Sequence, residues 1–163
     1  MKKKIALLLA LALCLSMLAG MTVAAEGETA PKIAYYTVPM RATVCILYAV
    51  SADSYDGVAV KVTKSGSSVA EDAVCKGLSE INGKEYLIFE YELAASEMST
   101  KVEAYATNGT QNSEPVTYSV NEFLDNYVES YRSVEAKAKF VKLAQAMKAY
   151  GEAISAWKNQ GGD

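Results

Sequence analysis

Leu87, Phe89, Tyr91 and Leu93 alternate with Ile88, Glu90 and Glu92, a period of two that suits a strand with one buried and one mostly wet face. A chain with this pattern has to build a sheet and cover one side of it. The alternation recurs where Val58, Val60 and Val62 interleave with Ala59, Lys61 and Thr63. Thr43 to Val50 is apolar at both parities, as in a strand covered on both faces. Lys32 to Val38, Ser68 to Cys75, Lys101 to Thr107 and Glu114 to Tyr118 are further strand-like runs, separated by glycine, asparagine and proline. Asn82-Gly83 and Asn108-Gly109 each stand between such runs, and this dipeptide favours the positive φ angles of a two-residue hairpin turn. About seven strands at this spacing predict an antiparallel β-sandwich over residues 26–119.

The period changes at Ser119. Ser119-Val120-Asn121-Glu122 reads as a capping box, in which serine and glutamate satisfy amide hydrogens at a helix start. Val120, Phe123, Leu124, Tyr127, Val128 and Tyr131 then share one helical side. Ser133 is placed to cap a second helix running to about Lys158, with Phe140, Leu143, Ala144, Met147, Tyr150, Ile154 and Trp157 as its stripe. Residues 120–163 are thus expected to form a helical hairpin packed on the same domain, because each stripe needs a surface to cover it. Gly151 falls inside the second helix, where it costs about 1 kcal/mol relative to alanine, so a close approach by a neighbour is expected there.

The amino terminus has the order of a secretory signal peptide. Met1-Lys2-Lys3-Lys4 is followed by an uncharged run from Ile5 to Ala25, and the first acid is Glu26. Residues 1–25 are expected to be removed after Val23-Ala24-Ala25. The continuously apolar part, Ile5 to Ala19, is shorter than the ~20 residues of a membrane span, so no stable span is expected after cleavage. Cys14 lies inside the apolar run rather than at the cleavage point, so a lipid anchor is not indicated. The expected location is secreted, or extracellular. Cleavage leaves about 138 residues, the size of one domain. It also leaves 13 basic against 19 acidic residues, which disfavours polyanionic partners. The densest basic cluster, Lys137, Lys139 and Lys142, lies on a helix and is flanked by acids, so nucleic acid is not an expected partner.

Tyr118-Ser119-Val120 opening an aromatic helix, then Ala146-Met147-Lys148-Ala149-Tyr150-Gly151-Glu152-Ala153 with Trp157, resembles an exported module of Gram-positive anaerobes. Met98-Ser99-Thr100-Lys101-Val102-Glu103-Ala104-Tyr105-Ala106 is similar to the penultimate strand of that module. The resemblance spans about Thr43 to Trp157. It implies a setting beside carbohydrate-active or surface modules and carries no catalytic residues with it. No duplicated calcium-loop dockerin and no wall-sorting signal follows Trp157 in this sequence, which points to a released protein.

Candidate chemistry is sparse. The chain contains no histidine, the commonest general base and zinc ligand. Glu90 and Glu92 share a strand face about 7 Å apart, a spacing open to an acid–base pair, but alternating acids are also the ordinary wet face of a strand. Asp53-Ser54-Tyr55-Asp56-Gly57 lacks the ligand spacing and closing glutamate of a calcium loop and reads as a turn. No metal site or cofactor is expected. Cys45 and Cys75 either pair, closing a loop of about thirty residues at a gain of roughly 3 kcal/mol, or remain two separate thiols. Tyr35, Tyr36, Tyr48 and Tyr55 lie in or near the first strands, where flat rings on a sheet can stack on sugars. The favoured reading is a non-catalytic module that binds an extracellular protein or glycan, or acts as a spacer, at the bacterial surface. The alternatives are a carbohydrate-binding module using exposed tyrosines, a small extracellular hydrolase, and self-association through the second helix.

Overall fold

The computed structural model describes residues 30–161; the expected signal segment, 1–25, lies outside them. Among the described residues, eight antiparallel strands form two four-stranded sheets. One sheet has the order β1 (Lys32–Thr37), β2 (Cys45–Ser51), β6 (Lys84–Glu92), β5 (Val74–Ile81). The other has the order β4 (Ala70–Asp72), β3 (Ala59–Lys64), β7 (Val102–Thr107), β8 (Val116–Tyr118). Lettered in chain order with the fourth strand as C′, these are A-B-E-D facing C′-C-F-G, the strand order of immunoglobulin-type sandwiches. The likeness is one of order alone: β7 carries no cysteine, and Cys45 on β2 faces away from the core.

The alternation in the sequence becomes the core. Ile46, Tyr48 and Val50 of β2, Leu87, Phe89 and Tyr91 of β6, Val60 and Val62 of β3, and Val102, Ala104 and Ala106 of β7 meet between the sheets. β2 is buried along both of its faces, as its uninterrupted apolar run predicts. On the outer face Ala49 joins Ile81 and Tyr86 in a small second cluster. The eighth strand comes from Ser68 to Cys75, expected as one strand and divided in two by Ala73. That residue is buried and its amide donates to the Val60 carbonyl at 2.9 Å, so the chain leaves one sheet as β4 and enters the other as β5. Asn82 and Gly83, at φ 53° and 77°, make the expected two-residue turn between β5 and β6. Asn108-Gly109 behaves differently. The Asn108 carboxamide oxygen accepts from the amides of Thr110 and Gln111 and from the Thr110 hydroxyl, organising a wider loop before β8.

Among the described residues two α-helices follow the strands. α1 (Val120–Tyr131) starts at Ser119, whose hydroxyl accepts from the Glu122 amide at 3.2 Å, the serine half of the capping box. Val120 and Leu124 are fully buried in the sandwich core. The second helix begins later than expected: Ser133 lies in the turn, a 3-10 turn spans Glu135–Lys137, and α2 runs over Ala138–Asn159. Its buried line is only partly the expected one: Ala144 is buried and Met147 packs against the core, but the rest is shifted. Val141, Ala144 and Gly151 face inward, while Phe140, Leu143, Tyr150 and Trp157 of the expected stripe are exposed. The reason is clearance. At Gly151 a Cβ would collide with the Met98 sulfur and lie 3.1 Å from the Ala95 carbonyl oxygen, so α2 meets the segment Ala95–Met98 through its smallest residues. The large side chains are turned by roughly a quarter of the circumference into solvent. Among the described residues no helix is long and apolar enough to cross a membrane.

Candidate functional site

The outer face of the β1-β2-β6-β5 sheet gathers the acids and cysteines weighed in the sequence. Glu90 on β6 stands opposite Leu47, and Glu92 opposite Cys45, so the two acids do share this face. Their surroundings differ. Glu90 is only 6% exposed and pairs with the Arg41 guanidinium at 2.6 Å, with the Lys76 ammonium 3.7 Å from its other oxygen. Glu92 is exposed. The Arg41 hydrogen bond holds the Glu90 carboxyl below the usual carboxylate range, against a smaller opposing push from burial. A general acid needs the reverse shift, so Glu90 is a poor proton donor near neutral pH. Neither Arg41 nor Lys76 stood out in the sequence, since only the β1–β2 connection and the bulge between Cys75 and Gly77 bring them over the acid.

Arg41 also donates to the Cys45 sulfur at 2.9 Å. Burial nevertheless pushes the Cys45 thiol up, with Arg41 opposing it, so the sulfur is a buried thiol rather than a ready nucleophile. The disulfide weighed above is not formed, and both cysteines are free. Cys45 lies opposite Glu92 and Cys75 opposite Phe89, on the two flanks of β6. Two strand spacings across and three residues along put their Cα atoms roughly 14 Å apart, about twice the reach of a disulfide. Because Phe89 points into the core and Glu92 out of it, the two sulfurs also face opposite sides of the sheet.

The four tyrosines do not share one surface. Tyr48 is fully buried, and its hydroxyl has no hydrogen-bond partner. Tyr35 faces outward beside Tyr86, with ring centroids 5.3 Å apart in an edge-to-face contact. Tyr55 packs against the core and its hydroxyl donates to the Glu85 carbonyl at 2.9 Å. Tyr36 is 38% exposed and tilts against Tyr118 at 4.4 Å. From there rings continue through Phe123, Tyr127 and Tyr131 at centroid steps of 6.3, 6.3 and 4.8 Å, an aromatic row from the sheet edge along α1. The strand alternation separates Tyr35 from Tyr36, and only the docking of α1 reveals the row.

The Asp53–Gly57 segment is a turn closed by the Val58 amide on the Tyr55 carbonyl, with Gly57 at φ 69°. A further group of exposed apolar side chains lies on α2: Phe140, Leu143, Tyr150 and Trp157 are 47%, 41%, 59% and 51% exposed. On the other side of α2, Lys148 bonds both Asp125 carboxylate oxygens at 2.6 and 2.8 Å and ties the helix to α1. No family model, no curated protein and no solved structure matches the chain.

Proposed function

We propose that the chain is an exported, non-catalytic module that binds a protein or glycan partner, or spaces other modules, at the bacterial cell surface. The observation that carries this reading is the apolar side of α2. A helix fastened to a sandwich by Ala144, Gly151 and the Lys148–Asp125 pair keeps four large apolar side chains in water, which is the arrangement of a contact surface. The order of residues 1–25 and the resemblance to exported modules supply the setting. Fluorescently labelled protein is expected to be retained on surface fractions of Gram-positive anaerobes, with retention reduced several-fold by Tyr150→Ala/Trp157→Ala. Absence of retention on whole cells, cell walls and secreted glycoproteins alike would overturn the binding role. Export is tested separately, by an amino terminus at or beside Glu26 on material recovered from the culture medium.

The carbohydrate-binding reading has one observation in its favour, the aromatic row from Tyr36 to Tyr131, because sugar rings stack on flat aromatic faces. It predicts glycan-array binding that Tyr36→Ala weakens; a blank array, or binding indifferent to that change, sinks it. The hydrolase reading lacks comparable support, since Glu90 is occupied by Arg41 and Lys76. Measurable turnover on a panel of glycans and esters, lost in Glu90→Gln, would revive it.

A further inference from the structure

The exposed side of α2 carries a second repeat. Lys139, Leu143, Ala146, Tyr150, Ala153 and Trp157 follow one another at steps of four and three residues, and all six are exposed. Alternating steps of four and three are those of the a and d positions of a two-stranded coil, and from Leu143 to Trp157 they average 3.5 residues. The residues α2 turns inward, Val141, Ala144 and Gly151, belong to another side of the helix. From Leu143 to Trp157 the seam is uncharged and alternates large with small: Leu143, Ala146, Tyr150, Ala153, Trp157.

We infer that this seam docks antiparallel on the same seam of a second copy of the chain, about a two-fold axis. In the layers of an antiparallel coil Leu143 meets Ala153 of the second copy, Ala146 meets Tyr150, and Trp157 meets Lys139. Each of the inner layers joins one large side chain to one small one, which fills the space between the helices with no void. A parallel pairing instead sets Tyr150 on Tyr150 and Ala146 on Ala146, so that one layer wedges the helices apart and the next is left empty. At both ends of the antiparallel seam the Lys139 ammonium lies over a Trp157 ring, a cation–π contact that a two-fold axis supplies twice.

The size of the contact also fits a weak, specific dimer. Leu143, Tyr150 and Trp157 are 41%, 59% and 51% exposed, and covering them on both copies, together with Phe140 and the alanines, removes about 1,000 Å² from water, the low end for specific complexes. The expected association is weak, in the micromolar range. Among the other exposed apolar residues, Val74 and Leu78 on β5 have no such repeat and serve as a control.

This inference rests on the same α2 face as the surface-binding reading and competes with it for Tyr150 and Trp157, because the partner it names is the chain itself. Sedimentation equilibrium across about 1–500 μM is expected to show a reversible monomer–dimer equilibrium. Ala146→Glu/Ala153→Glu is expected to weaken it at least about 100-fold without changing the thermal melt, since both alanines are solvent-exposed. Val74→Glu/Leu78→Glu is expected to leave it intact. In a Cys75→Ser background, the Leu143→Cys and Ala153→Cys proteins are expected to cross-link only when mixed. A monomer throughout the range overturns the inference, as does a dimer broken by the β5 change and not by the α2 change. Cross-linking of either variant with itself through its introduced cysteine overturns the antiparallel docking. A monomeric result leaves retention on surface fractions, measured independently, untouched.

Discussion

Glu90 sits at a balance between burial and pairing, and pairing wins. A thin layer of side chains screens its carboxylate from solvent, while Arg41 at 2.6 Å and Lys76 at 3.7 Å supply two positive charges. Its pKa is lower in the fold than in the unfolded chain, so the pair adds stability above the ordinary carboxylate range and loses it as pH falls through the folded value. Arg41 is 40% exposed, which moderates the figure, and Arg41→Ala is expected to cost about 1–2 kcal/mol at pH 7 in urea unfolding. The cost should shrink as the pH falls through the folded value of Glu90, where the carboxyl becomes protonated in the paired protein too; a cost that stays constant down to acid pH would show that Arg41 acts only by packing. Tyr48 presents the opposite case. Its buried hydroxyl has no partner, and burial holds the phenol well above its ordinary pKa, so Tyr48→Phe removes a desolvated group at no loss of hydrogen bonding. A gain of between zero and about 1 kcal/mol is expected in the same assay.

At the scale of elements, α2 shows how a single small residue sets which way a helix faces. Its sequence stripe from Phe140 to Trp157 was legible and Ala144 of it is buried, but the inward line also takes in Val141 and Gly151, and Gly151 is the residue that clears the Ala95 carbonyl and the Met98 side chain. Gly151→Ala should therefore destabilise the protein by about 1–3 kcal/mol, even though alanine favours helix by about 1 kcal/mol. Combining it with Met98→Ala should recover part of the loss that the two single changes sum to, since the collision at the sulfur is removed; strictly additive costs in thermal melts would contradict the clearance argument. The hairpin at Asn82-Gly83 was readable because two residues fix its geometry by themselves. Asn108-Gly109 was not, because hydrogen bonds from Thr110 and Gln111 to the Asn108 side chain stabilise a wider loop. The division at Ala73 was invisible for a related reason: strand residues on either side look alike, and only pairing with Val60 shows where the sheet changes.

At the scale of the molecule, the sandwich separates Cys45 from Cys75. Cys75 is exposed on an edge strand and Cys45 is buried under Arg41, so iodoacetamide should modify Cys75 in the native protein and Cys45 only on unfolding. Reduction should change neither the mass nor the melting temperature. A mass gain of two hydrogens on reduction would contradict the strand register. The period-two runs and the switch to helical period at Ser119 determined a β-sandwich followed by helices, because burial of one strand face and one helix side is dictated by spacing along the chain. The tertiary structure alone decided which acid is neutralised, which cysteine is shut away, which tyrosines form a row and which side of α2 meets water. Those depend on distances between residues far apart in sequence, and the alternation of side chains carries no record of them.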